Sequence, residues 1–172
     1  MGMSTLGVEK ECSTFKIYRE SIRVATEGCL QFTDITDRIA SLIERSGVRS
    51  GFANIQSLHT TAAVMVNEHE PLLLEDMRQA LERLAPRGAA YRHDDFSVRT
   101  VNLCPEEEKN GHSHCKALFL KSSETLNVVE GTLDLGRWQR VFLVELDGSR
   151  RRTVSVMVIG QNSGGLGNPS AS

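Results

Sequence analysis

Apolar residues recur along this chain at two different spacings, and the switches between them mark out its elements. From Phe15 to Thr26, the residues Phe15, Ile17, Ile22 and Val24 predict extended structure with a break near Glu20. Leu30-Gln31-Phe32 is a short strand. Thr33 or Asp34 is placed to cap a helix whose apolar face is Ile35, Ile39, Leu42 and Ile43, and Ser46-Gly47 ends it. Arg49 to Leu58 alternates, and Ala62 to Val66 is a short β-rich apolar run that suits a buried strand. Pro71 occupies the natural first position of a helix over Leu72 to Leu84, with Leu73, Met77, Leu81 and Leu84 on its apolar face. Pro86 and Gly88 close that helix.

The second half is less regular. Tyr91 to Glu108 is polar, with one short strand expected near Val98 to Leu103. His112 to Leu120 suits a helix that places Cys115, Leu118 and Phe119 on one face. Asn127 to Val129, Thr132 to Leu135, Trp138 to Leu146 and Arg152 to Ile159 read as four strands, with turns at Glu130-Gly131 and Asp147-Gly148. Trp138 is expected in the core, with Gln139 beside it able to project into a pocket. Strands dominate and helices are inserted without βαβ alternation, so the fold class is α+β.

Composition narrows the function. The 172 residues suffice for one domain, expected over 15–160, with 1–14 and 161–172 as flexible termini. A net charge of −2 without runs of one sign argues against nucleic acid and polybasic membrane binding. No signal-like segment and no run of eighteen apolar residues occurs, which points to the cytoplasm. The four cysteines, Cys12, Cys29, Cys104 and Cys115, form no Cys-x-x-Cys pair and are expected as reduced thiols. Arg150-Arg151-Arg152 is either a solvated turn or an anion site.

Histidine carries the candidate chemistry. Of the five, His59, His93, His112 and His114 stand in polar junctions at the ends of predicted elements, and His69 precedes a helix. Neutral imidazoles from separate elements can converge on a transition metal, with carboxylates orienting them. In a strand, His112 and His114 would share a face; in a helix they would diverge by about 200°. Glu68 and Asp94 are the candidate bases, and Asp94-Asp95 can equally solvate a loop. No nucleophile elbow, phosphate-binding loop or dinucleotide fingerprint is present.

The same segments carry a likeness. His59-Thr60-Thr61-Ala62-Ala63 with Asn67-Glu68, then Tyr91-Arg92-His93, Asn110 to Ala117, and Gly131 to Gln139 resemble the ordered motifs of the YjbQ family over about Phe15 to Gly160. The resemblance implies a mixed or antiparallel sheet curled into a barrel-like core with flanking helices. It implies a homotrimer and a zinc-like ion on the matching His59, His93 and His114; His112 ranks lower, because relatives carry acidic residues there. Two positions depart from the pattern: Ser149 replaces the proline of the usual Asp-Gly-Pro-Arg turn, and Cys115 replaces a common leucine. A Cys115 facing the pocket would be redox-sensitive; core packing is the alternative. Some members are described as thiamine-phosphate synthases. That activity would need magnesium and cations for diphosphate, for which Arg92, Lys116 and Arg150 are candidates. The alternatives are a metal-dependent hydrolase or lyase and a non-catalytic metal-dependent small-molecule-binding protein.

Overall fold

The computed structural model describes residues 15–162. Among these residues, eight strands form two antiparallel sheets. β1 (Phe15–Ala25), β8 (Arg151–Gln161), β3 (Ser50–Ser57), β5 (Ser123–Val129) and β6 (Thr132–Leu133) lie in that order in the larger sheet; β2 (Gln31–Asp34), β7 (Gln139–Glu145) and β4 (Ala62–Glu68) form the smaller. A bridge between Val64 and Lys121 joins the smaller sheet to the segment entering β5. The sheets curl as a half-barrel around a core from both: Ile22 and Val24 of β1, Ala53 and Ile55 of β3, Val141 and Leu143 of β7, and Val154, Val156 and Val158 of β8. Helix α1 (Thr36–Ser46) fills this curl with Ile39, Leu42 and Ile43.

β7 explains why its sequence is apolar without alternation. Side chains alternate across a strand, and here both faces are covered. Val141 and Leu143 face the half-barrel core, while Phe142 and Val144 pack with Leu74 and Leu81 of α2 (Pro71–Leu84). The buried face of α2 is thus turned towards Leu74 rather than Leu84, which is exposed. Glu70, not a hydroxyl residue, caps this helix by accepting from the Leu72 and Leu73 amides.

Several expectations are corrected. β1 is one unbroken strand, paired with β8 from Phe15↔Gln161 to Ala25↔Arg151. The change of phase near Glu20 is a change of face: Ile22 and Val24 point inward, whereas Phe15 and Ile17 are exposed. Gln161 closes β8 instead of opening a tail, and β5 starts four residues before Asn127, at Ser123. The rest of both terminal segments, with Cys12, lies outside the described residues. No strand forms at 98–103; Val98, Val101 and Leu103 are exposed in a loop. Trp138 is 60% exposed in the turn before β7, under the Arg137 guanidinium, because the β7 core positions begin at Val141. No helix among the described residues is long and apolar enough to cross a membrane.

Asp34 locks the start of α1 to the smaller sheet. Its Oδ1 accepts from the Thr36 amide and hydroxyl, and its Oδ2 from Arg140, with His69 Nδ1 at 3.1 Å. Burial opposes ionisation, yet Arg140, Thr36 and His69 outweigh it and hold the carboxyl at about 2. A depressed carboxylate pKa stabilises the fold above its unfolded value, here by on the order of 2 kcal/mol. This contribution is lost as pH falls from about 4 to about 2. We expect Asp34→Asn to lower urea stability at pH 7 by that amount, with the gap to the native chain closing below about pH 3.

Candidate functional site

The histidine motifs gather where β7 leaves and β8 enters. Glu145, the last residue of β7, and Arg152, the second residue of β8, form a buried ion pair. A buried charge persists only when paired and fully hydrogen-bonded. Here the Thr26 hydroxyl and the Asp147 amide also donate to Glu145, and Arg152 donates to the carbonyl and hydroxyl of Thr61. Through Thr61 this pair fixes the segment that carries His59. His59 Nε2 accepts from the Thr153 amide at 2.8 Å, which leaves Nδ1 as its remaining nitrogen. Burial, reinforced by Arg152, lowers its pKa.

His93 and His114 meet directly. A short 3-10 turn, Arg92–Asp94, docks on α3 (Gly111–Ala117), so the two rings lie 4.6 Å apart at 60°. Asp94 makes the dock: its Oδ1 accepts from the Asn110 and Gly111 amides at 3.0 and 2.8 Å. Its observed task is therefore to hold the histidine pair together. Gly111 is required for the approach, since a Cβ there would stand 2.5 Å from Tyr91 Cβ. Burial lowers the His114 pKa, and His93 and Arg99 lower it further, so His114 is neutral at pH 7. His93 Nε2 is buried and has no hydrogen-bond partner among the described residues; Glu107 Oε1, at 3.8 Å, is too far for one.

α3 is helical, so His112 and His114 diverge. His112 turns inward, its Nε2 3.2 Å from Ser113 Oγ and 3.9 Å from Cys29 Sγ. Burial, then Lys116 and Arg87, lower its pKa. The helix faces opposite to expectation: His112, Ser113 and Lys116 are buried, while Leu118 and Phe119 are 81% and 58% exposed. Cys115 is partly buried. Lys116 cannot reach solvent; its ammonium donates to the Ala85 carbonyl at 2.6 Å and pairs with Glu82. Arg150 pairs with Asp147 and Glu108. Arg92 is exposed and lines an open groove of about 520 Å³ with His93, Val98, Arg99, Val101 and Asn102.

Glu68 is not brought to this cluster. It ends β4 opposite Gln139, about 20 Å of extended strand from Ala62, near His69 rather than His93. Among the described residues no three His, Cys, Asp or Glu side chains are already arranged around one ion. Sequence reasoning missed Glu145 and its burial with Arg152, which was read only as part of a solvated turn or an anion site, although a charge inside the apolar run of β7 was the available signal. It also missed Arg99 and Glu107, whose loop has no periodicity.

Residues 20–161 match the model of the family described as UPF0047 protein YjbQ-like. The chain belongs to this family. Among its relatives, a UPF0047 protein of Methanothermobacter thermautotrophicus is 35% identical over 152 residues, covering 88% of this chain and 99% of its own. The crystal structure of a YbjQ-like protein of unknown function from Sulfolobus solfataricus P2 aligns with a TM-score of 0.77 at 34% identity, over 86% of this chain and 99% of that one. An uncharacterised YjbQ/UPF0047 protein of Clostridium acetobutylicum gives 0.70 at 31% identity, over 81% and 98%. The half-barrel with three helices is thus the YjbQ-like fold.

The dock predicts its own weak point. Gly111→Ala forces α3 away from Tyr91 and should cost about 1–3 kcal/mol. Urea denaturation reads the loss, and hydrogen exchange at the Asn110 amide, now held by Asp94, should accelerate. Unchanged protection would show that the Tyr91–Gly111 contact does not carry the dock.

Proposed function

We propose that this chain is a metal-dependent enzyme acting on an anionic, phosphorylated small molecule, with His93 and His114 as the core of a zinc-like centre. The observation that supports this reading is the buried, unpartnered Nε2 of His93 beside the His114 ring. Leaving a buried polar atom unsatisfied costs about 1–3 kcal/mol, a cost that an ion bound at that nitrogen removes. Neutral imidazoles suit zinc-like ions, whereas magnesium prefers oxygen ligands. Such an ion supplies Lewis-acid polarisation and an acidified bound water. Two adjoining imidazoles, one with an unpartnered buried nitrogen, are donors of the kind such an ion takes.

Arg92 is the favoured anion contact, because it is exposed on the groove that His93 lines. Lys116 and Arg150 are already neutralised by Glu82 and by Asp147 with Glu108. That leaves less charge for a diphosphate and favours hydrolysis or elimination over thiamine-phosphate synthesis. His59 joins through Nδ1 if it is a ligand, since the Thr153 amide occupies Nε2. We further propose the homotrimer. In its favour, Ile17, Ile159 and Phe52 stand side by side across three strands on the outer face of the larger sheet, and Ile17 and Phe52 are exposed.

The native chain should take up about one zinc-like ion, read by mass spectrometry. His93→Ala and His114→Ala should abolish loading, and His69→Ala, which alters the contacts with Asp34 and Phe142 only, should keep it. Full loading of His93→Ala would remove the proposed centre. Light scattering of the same samples at the mass of one 19.0 kDa chain would remove the trimer.

A further inference from the structure

Between the 3-10 turn and α3 runs a loop with no regular structure, yet it has a definite internal architecture centred on one ion pair. Arg99 donates to the carbonyls of His93, Val101 and Asn102 and to both oxygens of Glu107, the shorter contact being 2.5 Å. Glu107 Oε2 also accepts from the Cys104 amide. Asn102 and Glu106, neither a glycine, adopt φ of +54° and +61°, which is unfavourable for L side chains. The consequence is a sorting of three consecutive glutamates. The Glu107 side chain turns inward at 14% exposure, while that of Glu108 stays at 70%. Its inward direction is towards His93: Oε1 stands 3.8 Å from the unpartnered Nε2.

We infer that Glu107 is an anionic ligand of the His93–His114 centre, and that Arg99 is a placeholder cation for it. This rests on the metal-centre reading above. Two ligands on one zinc-like ion stand roughly 3.3 Å apart, given bonds of about 2.0–2.2 Å at tetrahedral angles. A shift of Oε1 by about half an ångström therefore suffices for Nε2 and Oε1 to share an ion. Before loading, the carboxylate needs a compensating charge in this partly buried setting, and Arg99 supplies it. Two imidazoles and one carboxylate from three neighbouring segments leave an open position facing the groove lined by Arg92, Val98 and Val101.

The experiment is competition of zinc between the protein and a chromophoric chelator, with no substrate present. The native chain should bind about one ion, and Glu107→Gln, which keeps the shape and removes the charge, should weaken binding by about tenfold to hundredfold. Arg99→Met breaks the same clamp but keeps the carboxylate, so a ligand role predicts affinity within about threefold of native. Glu108→Gln should behave as native. If Glu107→Gln and Arg99→Met lose affinity equally, Glu107 acts only by holding the loop, and the inference fails. If Glu107→Gln binds as native while His93→Ala does not, the centre stands without Glu107. If the native chain binds no zinc, the centre itself is absent.

Discussion

The arrangement of the histidine end depends on burying one charge pair. Glu145 and Arg152 sit where the two sheets converge, and the cost of removing them from water is offset only because every neighbour contributes a hydrogen bond. Thr26 follows β1, Asp147 follows β7, Thr61 precedes β4, and Arg152 lies near the start of β8; satisfying Glu145 and Arg152 therefore fixes four chain segments relative to one another. Leu146, the next residue, extends that order to α3: its carbonyl accepts from the Ser113 hydroxyl at 2.6 Å and from the Cys29 thiol. His59 and the α3 histidines are thereby supported from the same short stretch, Glu145 and Leu146 at the end of β7, though by different bonds.

Rigid support at one side contrasts with polar packing at the other. His93 is held by hydrogen bonds rather than by a core: Asp94 anchors its turn to the start of α3, and Arg99 grips its carbonyl. Few apolar contacts secure this loop, whose Val98, Val101 and Leu103 are exposed. Segments so constructed open at low energetic cost. A centre between a fixed helix and an adjustable loop can admit an ion and then a substrate without disturbing the half-barrel.

The legibility of the sequence followed how each element is stabilised. Strands and helices that bury a stripe, such as α1 with Ile39, Leu42 and Ile43, were readable from spacing. β7 was readable as a strand because its run is short, though not which residue faces which layer. Trp138 and the Cys115–Leu118–Phe119 face were misread, because apolarity alone does not say which side meets the core. The histidines were identifiable as residues, and the convergence of His93 with His114 was not, since it depends on the Asp94–Gly111 dock across an aperiodic loop. The inward Glu107 and the buried Glu145 were hidden for one shared reason: a glutamate in sequence carries no mark of the partner that allows it to be buried.

The central claim is that His93 and His114 bind a transition metal directly. X-ray absorption at the zinc edge of the loaded protein tests it without reference to activity. The account predicts at least two imidazole nitrogens in the first shell at about 2.0–2.1 Å. A shell made only of oxygen, or one containing a single histidine, would contradict it.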